Sequence, residues 1–318
     1  MCARETPPLT PTPLHPPSHH APCPASRAHA CAEQVPFAHS AATRYSFGPD
    51  FRHFDLGFRL AQDIEKIEAE SNAEAERKSE VELAALRQKQ EQPKGVWTEP
   101  VTGMRLVEVP GGSFEIGDQF DEGNKDEKPG WFYGDVDIQP FWLGATEVTQ
   151  AQWKAIMNNN PSVFKGDDRP VEQVSFNDVQ EFIRKLNAPI WKRFRLPTEA
   201  EWEYACREGG RKVRYCNGKD EARTSEIHYN SGETKRVASF APNSLGLYDM
   251  SGNVLEWTCS EYKKRYDGRE EKCAVYASNY SLRGGSWDDD QGWVRAATRY
   301  SFGPDFRHFD LGFRLAQD

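Results

Sequence analysis

The last third of the chain, from Leu245 to the C-terminus, constrains the fold most. It contains LGLYDMSGNVLEW (245–257), LRGGSW (282–287) and RAATRYSFGPDFRHFDLGFRLAQD (295–318). These segments are dense in Gly, Asn, Asp and Arg, with Trp and Phe between them. Glycine permits tight turns, and large rings hold irregular loops on a core. We therefore expect a loop-rich domain whose aromatic side chains anchor its loops.

The composition predicts that part of the 318-residue chain lies outside any core, because only 37% of the residues are hydrophobic. A net charge of -9 argues against nucleic-acid binding. No apolar run reaches the length of a membrane span, and the N-terminus lacks the apolar region of a secretory signal. We expect no membrane span and, by default, a cytoplasmic protein.

Seven cysteines occur, three before residue 40 and four at positions 206, 216, 259 and 273. Their spacings match no zinc-binding template. Because cytoplasmic proteins seldom keep disulfides, we expect unpaired thiols in a reducing compartment.

Three segments precede the folded part. Residues 1–40 are rich in Pro and His and are predicted to be a disordered leader, with a metal-binding His tract or translation upstream of the true start as alternatives. Residues 41–63 repeat residues 296–318 letter for letter and are interpreted as an orphan copy of the domain's C-terminal tail. Residues 64–95 are predicted to form a charged helical linker, more a solvated spacer than a coiled coil.

The folded domain is predicted to span 96–318. Met104–Val109 and the following SFEIG segment indicate a hairpin, and further strands are expected near Val136 and Phe141. Three helices are predicted from their N-caps, each with a partner three residues later that completes a capping box. These N-caps are Thr149, Ser175 and Thr198.

Six motifs in this order resemble the formylglycine-generating enzyme (sulfatase-modifying factor) family. They are GGSFEIGD (111–118), ATEVTQAQW (145–153), NPSVFKGDDRPVEQVSF (160–176), RLPTEAEWEYACREGG (195–210), LYDMSGNVLEW (247–257) and RGGSW…GFRLA (283–316). The resemblance implies an α+β domain of the C-type lectin-like fold with little regular secondary structure.

The family's founding activity is the oxidation of a sulfatase cysteine to formylglycine with copper and oxygen. This activity needs two reactive cysteines a few residues after RGGS, and here the last cysteine, Cys273, precedes that motif. We therefore expect no copper, and an enzyme is less expected than a binding protein. Iron-dependent relatives use additional histidines, whereas this domain holds only His228 and His308.

The resemblance also implies a structural calcium site. In the family, the turn before GN-x-x-EW binds calcium through side-chain and main-chain oxygens, which suit a hard cation. The matching positions are Asp249, Gly252, Val254 and Glu256. The alternative is that Asp249 caps a turn while Glu256 pairs with an arginine.

The C-terminus also resembles the variable proteins of diversity-generating retroelements, whose diversified positions derive from AAY codons. Many loop positions here carry residues that such codons can produce, although an ordinary family member with an aromatic tail remains the alternative. Tyr, Phe, Ser, Asp and Gly are also typical of adaptable binding loops. We predict a ligand-binding face formed by Trp287, Asp288, Asp290, Trp293, Tyr300, Phe302, Phe306, His308 and Phe309.

Two functional hypotheses follow. The first is a module that binds a protein or a small molecule, favoured because the cysteine pair is missing. The second is an oxidoreductase of the family, favoured by the overall match alone.

Overall fold

The computed structural model describes residues 66, 70–74, 76–79, 95–129, 134–188 and 193–318. The described residues between 66 and 79 are helical and exposed, within the segment predicted to be a linker. The predicted leader, 1–40, and the repeated segment, 41–63, lie outside the described residues. Among the described residues, the helices are all too short or too polar to cross a membrane.

The largest sheet has five antiparallel strands in the order β1-β2-β5-β11-β6. These strands are β1 Val96–Thr98, β2 Arg105–Val109, β5 Phe141–Gly144, β6 Phe194–Arg195 and β11 Ala316–Gln317. The final strand of the chain thus lies between two strands that come much earlier in the sequence. This position places the C-terminal strand of the domain in the same sheet as its N-terminal strands.

A second sheet has the order β10-β7-β8-β9, in which the β10–β7 pair alone is parallel. Its strands are β7 Leu255–Glu261, β8 Tyr280–Arg283, β9 Tyr300–Phe302 and β10 Leu311–Gly312. A two-stranded sheet joins β3 Gly112–Phe114 to β4 Val136–Ile138. The C-terminal segment therefore contributes both edges of the second sheet and an inner strand of the first.

Three helices lie between the sheets' strands in sequence: α1 Gln150–Met157, α2 Phe176–Asn187 and α3 Glu199–Cys206. The predicted N-caps are confirmed, and each helix has a complete capping box. On α2, Val179, Phe182, Ile183 and Leu186 are buried, as their helical spacing predicts. The helix packs this face into an apolar core that also contains Trp153, Trp257 and Phe313.

The predicted hairpin between Met104–Val109 and the SFEIG segment is wrong. Strand β2 pairs with β1 and β5, whereas β3 pairs with β4 in a separate sheet. At the turn, a Cβ on Gly111 would lie 2.6 Å from the carbonyl oxygen of Ile138. The missing side chain at Gly111 lets the backbone approach β4, so the chain crosses to the other sheet instead of folding back on β2.

The expectation of unpaired thiols is also wrong for the domain. Disulfides join Cys206 to Cys216 and Cys259 to Cys273. The first closes the reversal after α3, with Cα atoms 4.5 Å apart, and the second ties the loop after β7 back to that strand, with Cα atoms 4.6 Å apart.

Candidate ligand-binding face

The segment that carries the predicted ligand-binding residues leaves β8 at Arg283, whose side chain is fully buried. Its guanidinium donates to Glu199 and Glu203, both on α3. Gly284 and Gly285 follow with φ values of 96° and 65°, in the region that favours glycine. A Cβ on Gly285 would lie 2.6 Å from a backbone oxygen. Buried charge and tight packing thus fix the backbone where the face begins.

Three more arginines of the segment are held in the same way. Each makes a two-bond pair with a glutamate, at 2.6–3.0 Å: Arg295 with Glu127, Arg299 with Glu199, and Arg314 with Glu256. Such bidentate pairs define both position and orientation. Six buried residues of this segment, which we call the framework, support its backbone: Gly284, Gly285, Arg299, Gly312, Phe313 and Arg314.

Between these fixed points, rings form a continuous row that we call the aromatic band: Phe302, Phe306, His308, Phe309, Trp287 and Phe164. Phe306 stacks on Phe302 with ring centroids 3.9 Å apart. The His308 ring lies 6.0 Å from Phe306 and 4.0 Å from Phe309. The row brings together rings that show no regular period in the sequence, because they come from different elements. Phe306, His308 and Phe309 lie between β9 and β10, Phe302 ends β9, and Trp287 and Phe164 lie in other loops.

Three of the nine predicted face residues, Asp288, Asp290 and Trp293, are exposed. Five are half-buried: Tyr300, Phe302, Phe306, His308 and Phe309. The ninth, Trp287, is only 6% exposed, which corrects the prediction that it lies at the surface. The rings of Phe164 and Phe309 cover it, with centroids 5.2 and 5.5 Å away.

Phe164 and its neighbour Val163 are residues that sequence reasoning did not assign to the face. Val163 is 55% exposed, and the half-buried Phe164 packs edge-on against Trp287. The NPSVFKGDDRP motif contains both residues, but nothing in its spacing indicated contact with the C-terminal segment. The face therefore extends onto the loop before α2.

Two aspartates, Asp289 and Asp310, make hydrogen bonds near the aromatic band. Asp289 accepts hydrogen bonds from the Ser286 backbone N–H at 2.8 Å and from the Tyr300 hydroxyl at 3.0 Å. Asp310 accepts from the Ser286 hydroxyl at 3.0 Å and contacts His308 Nδ1 at 2.6 Å. Burial raises the pKa of Asp289, and burial together with the negative charge of Asp289 raises the pKa of Tyr300. The turn between β8 and β9 is thus tied to the band by polar contacts.

Glu172 is a fully buried carboxylate beside the band. Its Oε1 accepts the Phe164 backbone N–H at 2.8 Å, while Oε2 has no hydrogen-bond partner among the residues that the structure describes. Burial raises the pKa of Glu172 to about 7. The Glu172 carboxylate is therefore easier to protonate in the folded domain than in water.

The residues predicted to bind calcium lie together around the turn before β7. Glu256 is buried and accepts hydrogen bonds from Arg314 and from the Trp202 indole N–H. Asp249 accepts from the Ala238 backbone N–H at 2.6 Å, and burial raises the pKa of Asp249 to about 6. Both contacts agree with the alternative of a turn cap and an arginine pair. Each carboxylate keeps lone pairs that these hydrogen bonds do not use.

Carboxylates outnumber arginines around this turn. Glu147 is buried, one of its oxygens has no partner among the described residues, and its pKa is raised by burial and by the charge of Asp249. The carboxylates of Glu147, Asp249 and Glu256 thus interact with the Arg314 guanidinium, and the charge of Lys235 also acts on Asp249. A cavity of about 20 Å³, enough for one water or ion, borders Asp249 but none of the other three predicted ligands. No group of three or more acidic, His or Cys side chains in the described ranges is placed to hold a metal.

Comparison with known proteins identifies relatives of the domain. Chaperone protein LppX of Paenibacillus barcinonensis is 30% identical over 236 residues, covering 57% of this chain and 78% of LppX. The formylglycine-generating enzyme of Mus musculus is 32% identical over 205 residues, covering 58% of this chain and 52% of the enzyme. This chain therefore spans about half the length of the mouse enzyme.

Solved structures agree with these relatives. Treponema denticola variable protein 1 superposes with a TM-score of 0.61 at 26% identity, covering 71% of this chain and 99% of that protein. PvdO from Pseudomonas aeruginosa superposes with a TM-score of 0.62 at 26% identity, covering 72% and 99%. The predicted C-type lectin-like fold is confirmed. Residues 92–318 match the sulfatase-modifying factor enzyme 1-like domain, and the chain belongs to this formylglycine-generating enzyme family.

Proposed function

We propose that this chain is a binding module that contacts a protein or small-molecule ligand through the C-terminal loop face. One observation carries the proposal: partly exposed rings and aspartates lie on a backbone that buried arginine–glutamate pairs hold in place. A rigid backbone with rigid rings lowers the entropic cost of binding. The described helices and strands provide the support, and the loops between them provide the contact surface.

The cysteines favour binding over oxidase chemistry. No cysteine follows Cys273 in the sequence, and the four cysteines of the domain are paired in disulfides. A disulfide sulfur is not the thiolate that copper chemistry requires. The competing function, an oxidoreductase of the family, rests on the similarity to formylglycine-generating enzymes.

The similarity to Treponema denticola variable protein 1 supports the idea that this face is a site of sequence diversification. The buried framework positions would then stay constant, and the positions between them would vary. A nearby reverse-transcriptase gene with a near-identical template repeat in the genome would support diversification. Related loci without either would favour an ordinary family member.

Calcium is proposed as a structural ion at Asp249, Gly252, Val254 and Glu256. The excess of carboxylates over arginine at this turn supports it. Its role would be to neutralise buried negative charge and to fix the turn that leads into β7. It would take no part in ligand contact, because the face lies on other loops.

The binding proposal can be tested by panning a phage-displayed random peptide library against the purified chain. We expect the triple variant Tyr300→Ala, Phe306→Ala, His308→Ala to retain the circular dichroism spectrum and to lose capture of the peptides selected on the wild type. Phe120→Ala is the matched control, since this half-buried ring lies under Arg214 instead of in the aromatic band. Equal capture by wild type and triple variant would contradict a binding role for this face.

The oxidase alternative has its own assay. Incubation of the chain with copper, oxygen and a CxPxR peptide should give no formylglycine by mass spectrometry. Product that disappears in a Cys259→Ser or Cys273→Ser variant would establish oxidase chemistry instead.

A further inference from the structure

The charges of the C-terminal face do not cancel. Between Ser286 and Asp310 the sequence contains five aspartates and three arginines. All three arginines pair with acidic residues outside this segment. Arg295 and Arg299 pair with buried glutamates, and Arg307 donates to both oxygens of Asp178 on α2 at 2.7 and 2.9 Å. In the described part of the chain, these three arginines thus form their ion pairs with carboxylates outside the segment and not with the aspartate side chains of the face.

Three of these aspartates, Asp288, Asp290 and Asp305, are exposed. Two of their carboxylates contact neutral donors: Asp290 accepts the Gly292 N–H at 2.9 Å, and Asp305 accepts the Asn177 side-chain amide at 2.6 Å. The Arg307 guanidinium donates to the backbone oxygen of Asp305 at 3.3 Å. In sequence, Asp288 directly follows Trp287, Asp290 lies three residues after Trp287, and Asp305 directly precedes Phe306. The segment thus combines exposed carboxylates with partly exposed rings.

This combination matches the chemistry of a cationic partner. Lysine and arginine are attracted to carboxylates and also to the faces of aromatic rings. Arginine and apolar side chains are common in the cores of protein interfaces. The band is a row of rings in contact, extended by the exposed Val163, which suits an extended protein segment better than a compact small molecule.

We infer that the ligand of this face is a protein segment that presents lysine or arginine together with apolar side chains. The inference rests on the proposed binding function and deepens it by naming the partner class. The rings would supply contact area with the apolar side chains, and Asp288, Asp290 and Asp305 would attract the cations. Val163 and Phe164, from the loop before α2, would contact the same segment.

The test uses the full chain and the same phage-displayed random peptide library. Peptides selected on the wild type should carry net positive charge and apolar residues, and their affinity should fall as salt concentration rises. The charge variant is Asp288→Asn, Asp290→Asn, Asp305→Asn, which keeps the acceptor oxygens. The matched control, Glu108→Gln, Glu115→Gln, Asp137→Asn, changes the net charge equally at exposed positions on other strands and loops.

We expect the charge variant to bind the selected peptides about tenfold more weakly and the control to bind them as the wild type does. Selected peptides that are neutral or acidic, or equal affinity of the charge variant and the wild type, would overturn the inference. An empty selection would also count against it. If the Tyr300, Phe306 and His308 alanine variant loses binding while the charge variant keeps it, the partner class alone is wrong. If neither variant loses binding, the proposed binding face is wrong as well.

Discussion

The buried Glu172 gives the sharpest stability prediction. Burial raises the pKa of Glu172 from 4.5 to about 7. The folded state therefore binds the proton more tightly than the unfolded state does. The contribution of Glu172 to stability is therefore fully present below about pH 4.5 and is lost as the pH rises through about 7, because the unfolded chain ionises more readily than the folded one. A shift of this size corresponds to about 3 kcal/mol lost by pH 8.

Replacing Glu172 with Gln removes the charge and keeps an oxygen that can accept the Phe164 N–H. We expect Glu172→Gln to stabilise the domain by up to about 3 kcal/mol at pH 8 and to change little near pH 4.5. At pH 8 the melting temperature should rise by roughly 6–12 °C, since a domain of this size shifts by about 2–4 °C per kcal/mol.

The measurement is urea unfolding followed by tryptophan fluorescence at both pH values. Glu108→Gln, at an exposed position of β2, controls for the change in net charge. The reasoning is refuted if Glu172→Gln gains the same stability at both pH values, since a pH-independent gain would come from packing and not from ionisation. It is also refuted if the variant gains nothing at pH 8.

Two further predictions concern the calcium turn and the disulfides. Calcium should raise the melting temperature of the wild type, and Asp249→Ala should remove most of that rise; a calcium response that survives this substitution would show that the site is elsewhere. Thiol titration of the denatured, unreduced domain should find no free thiol at positions 206, 216, 259 and 273. Replacing Cys259 and Cys273 by Ser should cost about 2–4 kcal/mol in urea unfolding, and a neutral double substitution would contradict a stabilising bond.

The helices were predictable because their signals are local. Thr149, Ser175 and Thr198 each cap a helix with a side chain that reaches a backbone N–H three residues later. The buried stripe of α2 likewise follows from its 3.6-residue period. The glycines and arginines of RGGSW and GFRLA belong to motifs that carry the family resemblance, and the structure shows their physical role as buried turns and ion pairs.

The missed features depend on contacts between distant parts of the chain. Strand β3 was assigned to β2 because the two are adjacent in sequence, whereas its partner β4 lies beyond a long acidic loop. The cover over Trp287 comes from Phe164, more than a hundred residues earlier. The pairing of Cys259 with Cys273 depends on how the loop after β7 returns to that strand. The periodicity of residues and the spacing of motifs do not indicate which distant segments come into contact.

The separation of framework from face gives the last prediction. Arg299 donates to both oxygens of Glu199 and to the backbone oxygens of Asp126 and Lys263. Arg299→Ala would leave the Glu199 carboxylate buried with less compensation, which typically costs about 3–5 kcal/mol.

By contrast, Asp288, Asp290 and Trp293 are exposed, and surface substitutions usually change stability by about 0.5 kcal/mol or less. Replacing all three with Ser should therefore cost less than half of what Arg299→Ala costs, as measured by urea unfolding of both variants. Equal costs would mean that the face itself holds the fold together. A smaller loss of stability in the triple Ser variant than in Arg299→Ala would mean that the domain can change its contact residues and keep its backbone structure. This is the physical condition for one scaffold to bind many ligands.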